Sequence, residues 1–197
     1  MFTYRPQSPL AMLFCFIVAL FTFTACGSDK QSETAIAPAQ IVTVKDTKVA
    51  DTRFLSDATD IYFQEILLAK LAQQRATAHE VKELSKGIEE TSRAGKAQIT
   101  AMTINKSITV PTAPSAMANA AYDTLGKIAL EEFDVIYIRD VILRHNTALS
   151  HFENAAREEH DADIQTWAST KITELRNQLL KAKEIDARLN PVSELVQ

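Results

Sequence analysis

The sequence predicts an all-α fold, an antiparallel four-helix bundle with a short extra helix after a central crossover. Three observations carry this. From Phe54 onward the chain is rich in Ala, Leu, Ile, Glu, Lys and Gln, with only four glycines among its 197 residues, which is helix-forming composition. Apolar residues recur at steps of three and four in four long stretches. A proline-bearing segment, Val110-Pro111-Thr112-Ala113-Pro114-Ser115, divides those stretches into two pairs. No glycine-rich phosphate loop and no alternating strand pattern competes with this reading.

The first element is a targeting segment. Arg5 precedes an apolar run over residues 10–23, which ends in Phe23-Thr24-Ala25-Cys26-Gly27. The run has the length of a signal-peptide core and is short for a membrane span, which needs about 20 apolar residues. The polar run Ser28-Asp29-Lys30-Gln31 cuts it off. An ordinary cleaved secretory signal and an uncleaved anchor are the alternatives. The junction resembles the bacterial lipobox, although that motif usually carries Leu where this chain has Phe23. The resemblance implies cleavage before Cys26, acylation of that cysteine and anchorage in the cell envelope. Gly27 stands where an aspartate would commonly mark retention in the inner membrane, so the outer membrane is the expected destination.

Residues 26–48, rich in Ser, Thr, Ala, Gln and Pro, read as a flexible tether. A coil of about 20 residues spans roughly 25 Å. The bundle domain is then expected over 49–190, with a tail over 191–197. In the first helix Phe54, Ala58, Ile61, Leu68 and Ala72 form an apolar stripe, with Glu65 in the slot between them. The second, over 78–102, carries Val81, Leu84, Ile88, Ile99 and Met102, is interrupted at Ser92 and Gly95, and opens with Glu80 near the positive end of its dipole. Ser115 is placed to N-cap a short helix over 116–125. The third long helix has the stripe Leu130, Phe133, Tyr137, Val141, Ala148, Phe152 and Ala155, and His145 fills its vacant slot. The last carries Ile164, Trp167, Ala168, Ile172, Leu175, Leu179, Ala182 and Leu189 and stops before Asn190-Pro191.

Net charge is -4 with both signs interspersed. Nothing in that pattern attracts nucleic acid or builds an acidic cation buffer. Of the two cysteines, Cys15 leaves with the signal and Cys26 is consumed by acylation, so packing must hold the expected mature domain together without a disulfide.

Cofactor sites in bundles are built from polar residues on inward stripes. Glu65, Ser92, His145 and Gln178 lie at or beside such positions, one on each long helix. A buried carboxylate needs a cation, a donor or a proton. Glu65 and His145 are therefore the candidate pair, joined either by a structural hydrogen bond or ion pair or by a divalent metal, with Glu89, Glu153 or Glu174 as auxiliary oxygen ligands. Glu89 to Ser92 has Glu-x-x-His spacing without the histidine. His79, His151 and His160 read as solvated surface, as does the run Arg157-Glu158-Glu159. Met102, Met117 and Trp167 read as core, and Asp134 as a local cap or a partner of Arg139 or Lys127.

Phe54 with Glu65, Glu80-Val81-Lys82, Phe133-Asp134 with Tyr137 and His145, Phe152-Glu153, Trp167-Ala168 and Leu175 together resemble the family of a domain of unknown function numbered 4142. Its members are ferritin-like helical proteins of the bacterial envelope, often described as outer membrane proteins. The resemblance implies a ferritin-like bundle with metal ligands in its centre. The chain departs from that pattern. Where the family has an Asp-His pair late in the second helix and a His in the last, this chain has Thr91-Ser92 and Gln178, and the paired glycines before the first-helix glutamate are replaced by Ile61-Tyr62 or their neighbours. Two ligands are thus lost at Ser92 and Gln178, whereas structural zinc takes four and catalytic zinc three.

Two functions follow as expectations. One is a non-enzymatic envelope lipoprotein whose bundle binds a protein, lipid or small ligand or serves envelope stress tolerance, with a degenerate metal site and no cofactor. The other is a periplasmic metalloprotein that binds or oxidises iron or a similar divalent metal through Glu65 and His145. A hydrolase is disfavoured, because Ser92 has no companion His-Asp arrangement.

Overall fold

The computed structural model describes residues 38–158 and 160–190, in which five α-helices and no strand are found. They are α1 (Pro38–Arg75), α2 (His79–Lys106), α3 (Ala116–Gly126), α4 (Leu130–Ala155) and α5 (Ala162–Leu189). The segment read as a signal peptide, Cys26, residues 26–37 of the tether and the 191–197 tail lie outside the described residues. None of the described helices is long and apolar enough to cross a membrane.

Local chemistry sets most of the boundaries. Ser115 caps α3 as expected, its Oγ accepting from the Ala118 N–H at 3.1 Å. Asp161 caps α5 by accepting from the Asp163 N–H at 3.0 Å, and Lys106 at the end of α2 sits 2.6 Å from the same carboxylate. That lysine holds the Asp161 carboxyl below its ordinary range. α2 ends on Ser107 in the left-handed region, φ 52°, its N–H returning to the Thr103 carbonyl.

Two boundaries differ from the sequence reading. α1 already begins at Pro38, so residues 38–48 are helical rather than coil. α2 runs unbroken through Ser92 and Gly95. The glycine serves packing: the Tyr62 ring lies against it, and a Cβ there would overlap the ring. Tyr62 is buried there, while its neighbour Ile61, read as part of the stripe, is only partly so.

α1 and α2 form one hairpin, α4 and α5 the other, and side-chain contacts fix how the hairpins pair. Thr77 at the end of α1 meets Asp134 at the start of α4, while Asp51 meets His160 after α4. Glu80 meets Arg188, and Lys106 meets Asp161, at opposite ends of α2 and α5. Each cross-hairpin pair is therefore antiparallel. α3 is pinned to α1 at both ends, by Ser115 donating to Asp60 and by Arg75 donating to the Gly126 and Ile128 carbonyls.

The core falls into two apolar clusters. One, around Leu68, Val81, Ile88, Phe133, Tyr137 and Ile185, lies toward the α1–α2 turn. The other, around Phe54, Tyr62, Ile99, Phe152, Ile164 and Leu175, lies toward the α4–α5 turn and is richer in aromatic contacts. Two residues read as core are not there, Met117 at 76% and Leu130 at 53% exposed, whereas Met102, Trp167 and Leu189 are half-buried and packed against the clusters. Thr103, Lys171 and Ile185 are buried instead.

Candidate functional site

In α1, α2 and α4 the residues of the two clusters are separated by a polar position, Glu65, Thr91 with Ser92, and Arg144 with His145, while Gln178 in α5 lies between Leu175 and Leu179 of the second cluster, one turn before Ala182 of the first. Glu65, Ser92 and His145 are buried and Gln178 half-buried, so the inward placement read from the stripes holds. Together these side chains form a belt across the middle of the bundle.

The main partner of Glu65 is Arg144, which the stripes did not single out. Arg144 Nε donates to Glu65 Oε1 at 3.0 Å and Nη2 to Oε2 at 3.2 Å, a two-pronged grip on both carboxylate oxygens. Arg144 Nη1 pairs with Asp140 one turn earlier on α4. The Glu65 carboxylate and the Arg144 side chain are 6% and 11% exposed, so this is a buried ion pair. Burial pushes the Glu65 carboxyl up, but the Arg144 charge, His145 and the Arg144 hydrogen bonds together outweigh it and hold the group below its ordinary range.

His145 lies alongside rather than opposite Glu65. Its Nδ1 is 3.8 Å from Glu65 Oε1, at ion-pair distance as expected but beyond hydrogen-bond reach, and 3.0 Å from the Val141 carbonyl of its own helix. Its Nε2 is 2.9 Å from Gln178 Oε1. Gln178 donates to the Thr91 hydroxyl at 2.8 Å, which donates in turn to the Gly87 carbonyl at 2.9 Å. One ion pair thus joins α1 to α4, and one hydrogen-bonded chain joins α4, α5 and α2. Close to this level, burial pushes the Tyr137 phenol well above its usual value.

The pair does not fit a metal. Both Glu65 oxygens accept from Arg144, and both His145 nitrogens face oxygens within the protein. The acids weighed as auxiliary ligands are held elsewhere: Glu89 by Gln73 and Arg93, Glu153 by Arg176, Glu174 by Lys171. Among the described residues no group of three or more His, Cys, Asp or Glu side chains could hold a metal ion.

Two further expectations are corrected. Asp134 caps no local neighbour; it accepts from the Thr77 and Ala78 N–H groups and the Thr77 hydroxyl, across 56 and 57 residues. His160 is no surface residue, since its side chain is 4% exposed and its Nδ1 lies 2.8 Å from Asp51. His151 is partly buried against Phe54, their ring centroids 5.2 Å apart, while His79 is exposed.

A family model for a domain of unknown function, DUF4142, matches residues 37–185, well over half the chain. The chain belongs to the DUF4142 family. The match opens beside the first residue of α1 and closes in the last turns of α5, so the DUF4142 domain spans the whole five-helix unit. Among solved structures, a crystal structure of a DUF305 fragment from Deinococcus radiodurans is similar, with a TM-score of 0.62 at 16% identity over 70% of this chain and 95% of that one. At that identity the likeness concerns the fold alone. No curated protein matches the chain.

Proposed function

We propose that this DUF4142 protein is a lipid-anchored envelope lipoprotein, held in the outer membrane through Cys26, whose bundle is a non-enzymatic scaffold for binding a partner or ligand or for tolerating envelope stress. The anchor rests on the apolar run over 10–23 and the lipobox-like residues ending at Cys26-Gly27. One observation carries the non-enzymatic part: Arg144 closes both oxygens of Glu65. A metal-assisted or acid–base reaction needs an open coordination position or a group free to exchange a proton with substrate. Here the central polar groups are consumed by one another.

The alternative, a periplasmic ferritin-like metalloprotein using Glu65 and His145 on iron or a similar metal, requires Arg144 to leave its carboxylate. Intact-mass analysis and elemental analysis of the detergent-extracted, full-length protein test both parts. The expected result is a diacylated or triacylated N-terminal Cys26 and no stoichiometric metal after exposure to iron, zinc, manganese and copper. An unprocessed Met1 terminus overturns the anchor, and one equivalent of metal lost in both Glu65→Gln and His145→Ala variants overturns the scaffold.

A further inference from the structure

We propose that the centre of the bundle is a guanidinium-binding site, built to hold a planar, forked cation, and that its resident ligand is the protein's own Arg144. The proposal goes beyond the scaffold reading in naming what the site selects. Glu65 is enclosed between α1 and α4 and cannot remain charged there without a cation. The cation present is matched to it by shape: Nε and Nη2 lie 3.0 and 3.2 Å from the two oxygens, and Nη1 turns to Asp140. Two guanidinium nitrogens therefore donate to one carboxylate of α1, while the third makes an ion pair, without a hydrogen bond, on α4. An ammonium is a point charge and cannot reproduce that fork.

A divalent ion is served badly by the same groups. Metal ligands converge on one point about 2.0–2.2 Å away. The two Glu65 oxygens instead point along parallel bonds at separate nitrogens, and His145 Nδ1 is committed to the Val141 carbonyl, 3.8 Å from the nearer oxygen. Gln178, held by Thr91, fixes the other ring nitrogen, so the imidazole has no slack with which to turn toward Glu65. The belt is thus a cation site whose selectivity is for a guanidinium, kept filled by a covalently attached one.

The test is chemical rescue in the full-length protein. Arg144→Ala removes the ligand and keeps the host, and its melting temperature is expected to fall by about 10 °C or more. Methylguanidinium or ethylguanidinium at millimolar concentration should restore a substantial part of that loss. Methylammonium at equal ionic strength, zinc and manganese should not, and Glu65→Gln/Arg144→Ala should be indifferent to all five. If Arg144→Ala does not stay folded, the same additives are supplied during refolding and recovery of helical protein is read instead. Rescue by zinc or manganese, or by methylammonium as well as by the guanidiniums, overturns the proposal, as does failure of every additive. Metal rescue in this variant beside a metal-free wild type sinks only the guanidinium assignment, whereas metal in the wild type sinks the scaffold reading too.

Discussion

Glu65 and Asp134 are both buried carboxylates on long helices, yet the bundle satisfies them in opposite ways. At the centre Glu65 faces a guanidinium, and its compensation is a full charge carried on a long side chain. At the end of the bundle Asp134 faces a chain reversal. There the Thr77 N–H at 3.1 Å, the Ala78 N–H at 2.8 Å and the Thr77 hydroxyl at 2.6 Å do the same work with dipoles. The difference follows from what each place offers. Mid-helix backbone is already bonded to itself, so a buried acid there must find a side chain, whereas the start of α2 presents unbonded N–H groups that a carboxylate can cap. The first solution depends on one partner's charge, and the second on the backbone geometry of a turn.

The contrast can be broken most strongly at Arg144. Arg144→Met leaves Glu65 buried without its cation and should cost about 3–5 kcal/mol, while Glu65→Met/Arg144→Met should recover most of that loss. Urea titration of the two singles and the double gives the coupling directly, and additive losses would show that the pair does not interact. Asp134→Ala should cost about 2–3 kcal/mol by orphaning two N–H groups at the turn. Asp134→Asn, which keeps one acceptor oxygen, should lose about half as much, and a loss under about 0.5 kcal/mol for the alanine would remove Asp134 as the anchor of that turn.

A smaller effect is expected away from both acids. Gly95→Ala pushes a methyl into the Tyr62 ring and should cost about 1–3 kcal/mol. Tyr62→Ala in the same chain should make the glycine change close to neutral; an undiminished cost would place the strain elsewhere. The finest distinction is in pH dependence. Because the Glu65 carboxyl is held below the ordinary value of a glutamate, its stabilisation is complete above that ordinary value and is lost as pH falls through the lower, folded one. Urea midpoints between neutral and acidic pH should therefore drop more steeply in the wild type than in Glu65→Gln, and identical slopes would mean that Glu65 does not titrate with folding.

Glu65 and His145 were legible because each is a polar residue at a slot that a 3.6-residue period assigns to the interior. Arg144 was not, since it stands one residue beyond the stripe and reaches inward only because α1 lies across α4 at that level. The same reason separates Asp134, read as a local cap, from its actual donors at Thr77 and Ala78, and His160, read as turn surface, from Asp51. Each of these partners is more than fifty residues away in the chain. The i,i+4 pair Asp140–Arg144 was the one local signal for the central ion pair.

What the amino-acid order alone determined is periodic or adjacent: helical composition, the apolar stripes, the cap at Ser115, the break at Pro111 and Pro114, and which slots on the stripes are polar. The tertiary structure decided which polar residues meet. It added Arg144 to the Glu65–His145 candidate as the group that hydrogen-bonds Glu65, used a glycine to seat Tyr62, and carried α1 back to Pro38. Helix formation depends on neighbours three and four residues away, whereas a buried charge takes whichever opposite group the crossing of two helices brings within reach, and no local pattern encodes that crossing.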